Sequence, residues 1–156
     1  MKGVTRLFEA ARARISGRLL ARLASIGLAV GTGVVLGLAA WLEPSPLGHS
    51  THTQLGLGTC SVLSATGIPC PMCGATTSFT LMAHFRPLEA LVNQPFASLL
   101  FCMTVAVFGV SVAEVVQPRD RWIRFSRWIE PWEGKLAVAF LGFMGLAWVY
   151  KIVLMT

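Results

Sequence analysis

Charged side chains are scarce in this sequence. Asp, Glu, Lys and Arg make up 13% of the 156 residues, whereas hydrophobic residues make up 54%. Soluble domains carry about 25% charged residues, so this composition excludes an ordinary soluble domain. The apolar residues occur in long runs and not at amphipathic spacing, which is typical of helices that have lipid as their solvent.

The long apolar runs also lack acidic and basic residues near their centres. Glu114 and Lys151 are the exceptions within the runs, and both lie near an end, where the Lys151 side chain is expected to reach water. Ion and proton pathways usually need charged groups at depth, so a transporter or channel is disfavoured. The sequence has no nucleotide-binding motif, no nucleophile–base pair and no paired carboxylates, and we expect a protein that is not an enzyme.

Three apolar runs are long enough to cross a membrane. They cover residues 23–42, 96–116 and 136–155. About 20 helical residues, at ~1.5 Å each, span the hydrocarbon core of a bilayer. The sequence therefore predicts an all-α membrane protein with three transmembrane helices. The first run contains four glycines in two small-xxx-small pairs, Gly27 with Gly31 and Gly33 with Gly37. Such pairs allow close packing of helices, but glycine is also frequent in membrane helices in general.

The basic residues lie in two blocks beside these runs. Residues 1–22 contain six Lys and Arg, residues 117–135 contain five, and residues 43–95 contain only Arg86. Apolar residues recur at helical spacing in both blocks, so we expect amphipathic interfacial helices that contact anionic lipid headgroups. Basic loops stay cytoplasmic, so the N-terminus is predicted inside, and residues 43–95 and the C-terminus outside. We find no motif for binding nucleic acid.

The predicted outer segment, residues 43–95, contains Cys60, Cys70 and Cys73. Disulfides persist outside the cytoplasm, so we expect Cys70 and Cys73 to be oxidised, either to each other or with Cys60. A proline follows Cys70 and an apolar stretch follows Cys73, which suggests that this Cys-x-x-Cys motif opens a short helix over residues 75–85. A helix N-terminus lowers the pKa of a thiol there. The outer segment is thus predicted to carry its cysteines on a helical hairpin.

Zinc binding is an alternative use of the same motif. His49 and His52 have His-x-x-His spacing. Together with Cys70 and Cys73 they would form a tetrahedral set of four zinc ligands. A loop rich in Gly, Ser and Thr is also an ordinary solvated loop, so the zinc site stays an alternative to the disulfide.

The cysteine motif carries a family resemblance. It consists of Cys60 and, after nine intervening residues, Cys70-Pro71-Met72-Cys73-Gly74-Ala75-Thr76. This segment, with Ala90 and Pro95 further on, resembles the bacterial membrane family catalogued as domain of unknown function 2752, over residues 60–100. Thr77 stands where the family usually has Arg, and Gln94 stands where it usually has Asn. The resemblance implies a small multi-pass protein of the bacterial inner membrane and no particular activity.

A looser resemblance is to membrane thiol oxidases that pass electrons to quinone. They also place a Cys-x-x-Cys pair at an outer helix end, which would make Cys70 and Cys73 a catalytic redox pair. Such oxidases usually have four spanning helices and a second outer cysteine pair. This sequence has three apolar runs and only Cys60 as a further outer cysteine, so the oxidase is the weaker interpretation.

We therefore expect a small accessory or structural subunit of a membrane assembly. A Cys-x-x-Cys clamp on its outer face would tie the outer hairpin above the bundle. Three helices enclose little volume, so the expected partner is another membrane protein or a second copy of the chain. Neither zinc nor quinone is required by this interpretation, and Cys102, within the second run, is expected to be an inert apolar residue.

Overall fold

A computed structural model describes residues 2–155, with the backbone alone described for residues 2–18. The chain is 78% helical, and its described part contains no strand. Residues 2–155 form α1 (Lys2–Trp41), α2 (Ser61–Thr66), α3 (Ala75–Ala83), α4 (Pro87–Asn93), α5 (Pro95–Val116), α6 (Arg121–Ile129) and α7 (Glu133–Met155). Two short 3-10 helices cover Thr51–Leu55 and Glu130–Trp132. The predicted all-α class is confirmed.

Three stretches of the described helices are long and apolar enough to cross a membrane. They are Leu19–Trp41 within α1, Pro95–Val116, and Arg121–Met155, which ends with α7. The predicted number of helices able to span a membrane, three, is therefore confirmed. The predicted interfacial helix over residues 1–22 is continuous with the first span in the backbone of α1. The side chains of residues 1–18, which would define its amphipathic face, lie outside the described residues.

α1 and α5 pack side by side along much of their lengths. Gly33 makes this approach possible, because a Cβ atom there would lie 3.1 Å from Cε2 of Phe108. At Gly27, Gly31 and Gly37 a Cβ atom would meet no described atom within 4 Å. Of the four glycines in this span, Gly33 alone therefore serves helix packing within the described chain.

α7 contacts α5 near its middle and meets the segment that precedes α5 at its C-terminal end. The Phe96 ring of α5 lies 4.9 Å and 5.9 Å, between centroids, from the rings of Phe140 and Phe143. The buried residues of α7 are Ala147 and Lys151. Both lie near the C-terminal end of α7, which contacts the segment between α1 and α5. We call this segment, residues 43–94, the cysteine cap.

The loop between α5 and α7 folds back on the opposite end of α5. The Glu114 carboxylate accepts hydrogen bonds from the backbone N–H groups of residues 119–121, at 2.8–3.2 Å. It also forms an ion pair with Arg121 at 3.1 Å. These donors replace water, which explains how Glu114 is buried at the end of an apolar helix. α6 follows at the position predicted for a short helix in the basic block.

Candidate functional site

The cysteine cap is built on a helical hairpin that packs into the bundle. α3 and α4 contact each other, and both pack against α5, while α3 also contacts α1. Thr77, Ser78 and Thr80 of α3 are fully buried. Phe79 forms an edge-to-face contact with Phe101 of α5, with 5.4 Å between ring centroids. The short helix predicted after the cysteine motif is therefore present, and its buried face packs into the protein.

Lys151 of α7 is covered by the cap and is only 2% exposed. Its ammonium donates to the Gly48 carbonyl at 3.3 Å, to the Asn93 carbonyl at 3.2 Å and to Asn93 Oδ1 at 2.8 Å. Each of the three N–H donors of the ammonium therefore has an acceptor. The expectation that Lys151 reaches water at the end of its helix is wrong, because the cap covers this end.

Asn93 connects the two helices of the hairpin to each other and to Lys151. Its Nδ2 donates to the Gly74 carbonyl at 3.1 Å and to Ser78 Oγ at 2.9 Å. The Ser78 hydroxyl in turn donates to the Ala90 carbonyl at 3.2 Å. Because these groups are buried, each hydrogen bond replaces one that water would otherwise make. We call this set of hydrogen bonds the Lys151–Asn93 network.

Gly74, directly after the cysteine motif, allows the network to close. Its φ of +88° is a left-handed conformation, which glycine adopts without steric cost. A Cβ atom there would lie 2.6 Å from the Gly48 carbonyl oxygen and 3.2 Å from Lys151 Nζ. The position therefore requires glycine for two separate reasons.

The two departures from the family pattern occupy buried positions. Gln94 is fully buried and donates from Nε2 to the Pro71 carbonyl, inside the cysteine motif, at 2.9 Å. Thr77 is also fully buried, and its hydroxyl lies 2.8 Å from the hydroxyl of Thr51. Both residues thus hold parts of the cap together through hydrogen bonds.

The cysteine motif itself forms a turn that precedes α3. The Cys73 N–H donates to the Cys70 carbonyl at 2.9 Å, and Gly74 separates this turn from the first residue of α3, Ala75. Cys60 precedes α2, and its side chain lies near enough to that of Cys70 for the two thiols to interact. The structure thus brings all three outer cysteines into one cluster.

The three thiols differ in acidity. The backbone N–H of Leu63 lowers the pKa of Cys60 from its ordinary value. Burial raises the pKa of Cys70, and it raises the pKa of Cys73 to about 11 although the Lys151 ammonium opposes the shift. The prediction that a helix N-terminus lowers the pKa within the motif is wrong for Cys70 and Cys73, because both lie in the turn before α3 and burial dominates.

The histidines considered as zinc ligands contact other groups. His49 Nδ1 lies 3.1 Å from Ser50 Oγ, and His52 Nε2 lies 3.1 Å from the Gly58 carbonyl oxygen. Among residues 19–155, no group of three or more His, Cys, Asp or Glu side chains is arranged to hold a metal ion. The described arrangement therefore brings the cysteines together without the histidines.

A cavity of about 520 Å³ opens in another part of the cap. Thr77, Leu81 and Asn93 line it from the hairpin, and Leu154 lines it from α7. None of its described lining residues is a cysteine. The cavity and the cysteine cluster are therefore separate features of the cap.

The sequence pattern identified the three cysteines as candidate site residues, but it did not identify the Lys151–Asn93 network. Asn93, Ser78 and Gly48 carry no motif that marks them. Lys151 did carry a signal, because it is the one basic residue in the apolar run 136–155. Such a residue is costly in a membrane helix unless a partner satisfies it, and here the cap supplies that partner.

The fold and the cap define this chain as a small helical membrane protein with three spanning helices. Residues 60–108 match the model of a family described as protein of unknown function (DUF2752). The match covers the three clustered cysteines, α3, α4 and the first part of α5, and it confirms the resemblance found in the cysteine motif. Comparisons with curated proteins and with solved structures found no match.

Proposed function

We propose that this chain is an accessory or structural subunit of a membrane assembly, and that the cysteine cap is its rigid outer face. The Lys151–Asn93 network is the observation that carries this proposal. All three donors of the Lys151 ammonium are used by acceptors of the cap. Catalytic groups must instead be free to contact a substrate, so a fully satisfied buried lysine supports a structural role.

The surface of α7 supports a partner within the bilayer. Leu136, Val138 and Leu141, in the half of α7 away from the cap, are 48%, 73% and 58% exposed. Helices in membranes associate through side-chain packing, and this half of α7 leaves its apolar side chains available for that. We infer that a helix of another membrane protein packs there.

We also propose that the cap lies outside the cytoplasm of a bacterium, with the basic block 117–135 inside. The distribution of Lys and Arg supports this orientation. Aromatic side chains suited to a membrane interface occur at both ends of the bundle. Trp148 and Tyr150 bond to carbonyls of the cap, those of Pro69 and Val92, at 2.7 Å each.

Orientation is testable with Cys60, the partly exposed thiol of lowered pKa. After mild reduction, we expect a membrane-impermeant maleimide to label Cys60 in intact spheroplasts. Cys73 should be labelled only slowly, because the thiolate is the reacting form and the pKa of Cys73 is about 11. A Lys135→Cys, Cys60→Ser, Cys70→Ser variant is the matched control and should react only after lysis. The opposite pattern of labelling would reverse the proposed orientation.

A redox assay separates the subunit from the thiol oxidase. Purified wild-type chain is incubated with a reduced dithiol protein and a soluble quinone, and the quinone absorbance is followed. We expect no quinone reduction, whereas the Cys70→Ser, Cys73→Ser variant should accumulate to a lower level in membranes. Cys102→Ser, which changes an exposed thiol of α5, is the control for abundance. Quinone reduction by wild type that is lost in the double variant would establish an oxidase instead.

A further inference from the structure

The thiols of the cysteine cluster have unequal surroundings. Cys60 and Cys70 are both partly exposed, and their side chains lie near enough for the two thiols to interact. Cys73 is 5% exposed, and burial raises its pKa to about 11, so that it stays a neutral thiol. Two thiols thus share an accessible position, while the third belongs to the interior of the cap.

Three side chains hold the turn that carries Cys73 in this orientation. Trp148 donates to the Pro69 carbonyl at 2.7 Å, Gln94 donates to the Pro71 carbonyl at 2.9 Å, and Asn93 donates to the Gly74 carbonyl at 3.1 Å. These bonds lie before, within and after the Cys70–Cys73 turn. Turning Cys73 outward would break some of them and expose a buried site.

The segment before this turn has little else to hold it. None of the six residues of α2 is buried in the described structure. Leu57, Val62 and Ile68 are 57%, 49% and 48% exposed. A single helix of six residues is not stable in water by itself. Cys60 and Cys70 are thus positioned to attach this segment, residues 56–68, to the cap.

We propose that the clamp of the cap is a disulfide between Cys60 and Cys70, that Cys73 remains a buried thiol, and that reduction of this bond releases residues 56–68. The inference rests on the proposed structural function, since it names the bond that performs it. It selects one of the pairings that the sequence leaves open, Cys60 with Cys70 and not Cys70 with Cys73. It also makes the outer face of the chain responsive to thiol redox conditions.

The bond forms by exchange with a disulfide-bearing oxidant. The Cys60 thiolate attacks one sulfur of the oxidant, whose disulfide breaks and releases one thiolate. Cys70, as thiolate, then attacks the Cys60 sulfur and expels the second half of the oxidant. Two cysteine thiols become one disulfide, and the oxidant takes up both electrons and both protons as two thiols.

The position of Met72 permits a direct test of the pairing. Protein isolated without reductant is acid-quenched, unfolded and treated with N-ethylmaleimide, and cyanogen bromide then cleaves after Met72 and Met82. The fragment 73–82 contains Cys73 alone, and the fragment 2–72 contains Cys60 and Cys70. We expect mass spectrometry to show fragment 73–82 free and alkylated before reduction, and both cysteines of fragment 2–72 unmodified.

Two outcomes of this mapping would overturn the pairing. Release of fragment 73–82 only after reduction would show that Cys73 is bonded. Alkylation of all three cysteines before reduction would show that no bond exists. Neither result depends on whether the chain is a subunit or an oxidase, because the quinone assay decides that question separately.

Release of the segment is tested by limited chymotrypsin cleavage after Leu57 and Leu63. We expect reduction to increase the cleavage rate by about ten-fold or more, since local opening exposes the backbone to the protease. Cys60→Ser and Cys70→Ser should be cleaved like reduced wild type, whereas Cys73→Ala should keep the slow rate of the oxidised protein. Equal rates in oxidised and reduced wild type would refute the release.

Discussion

Replacement of Lys151 by methionine is expected to cause one of the two largest losses of stability in this protein. The variant removes the three donors of the buried ammonium. It leaves the two buried acceptors on Asn93 and the partly buried carbonyl of Gly48 without their donor, and each buried unsatisfied group costs about 1–3 kcal/mol. We expect a loss of about 3 kcal/mol or more in the free energy of unfolding, which corresponds to a decrease in Tm of roughly 6–12 °C for a chain of this size.

Methionine tests the ammonium because it is nearly as long as lysine and apolar. Removal of a whole buried ion pair is often neutral, but here the acceptors are neutral groups that remain in place. Lys135→Met is the matched control, because Lys135 is exposed at the other end of α7. Its ammonium lies over the ring of Trp132, in a cation–π contact. An exposed contact of that kind is worth about 0.5–1 kcal/mol.

The measurement is the fraction of monodisperse protein that remains after heating in mild detergent, followed by size-exclusion chromatography. Lys151→Met should lose this fraction at a clearly lower temperature than Lys135→Met. Equal transition temperatures for the two variants would mean that the Lys151–Asn93 network contributes little to the stability of the cap.

Gly74→Ala is expected to prevent the cap from closing. The new Cβ atom would lie 2.6 Å from the Gly48 carbonyl oxygen. That oxygen belongs to the backbone and accepts a hydrogen bond from Lys151, so moving it away disturbs the network. The left-handed conformation of residue 74 adds about 1–2 kcal/mol for any side chain. We expect little folded protein to accumulate in membranes.

Gly67→Ala separates conformational strain from the steric contact. Gly67 has a φ of +70°, but a Cβ atom there would meet no described atom within 4 Å. This variant should therefore lose only about 1–2 kcal/mol and remain abundant. If Gly74→Ala were as abundant and as stable as Gly67→Ala, the close approach of Gly74 to Gly48 would be refuted.

The sequence by itself determined the class of the protein and the number of its spans. The length of an apolar run is a local property, and a run of about 20 residues crosses a bilayer whatever it packs against. The short helix α3 was predictable for a similar reason, because an apolar stretch bounded by the cysteine motif and by Pro87 limits where it begins and ends. The cysteine motif also indicated, by residue identity alone, the family whose model matches residues 60–108.

Only the tertiary structure decided the role of Lys151 and the relation among the cysteines. Lys151 bonds to Gly48 and Asn93, which lie 103 and 58 positions away in the chain, and no local pattern connects residues at such separations. The sequence left open whether Cys70 and Cys73 bond to each other or to Cys60, and it predicted a lowered thiol pKa in the motif. Burial depends on which elements cover a thiol, so the raised pKa of Cys73 and the proximity of Cys60 to Cys70 follow from the packed cap and not from the motif.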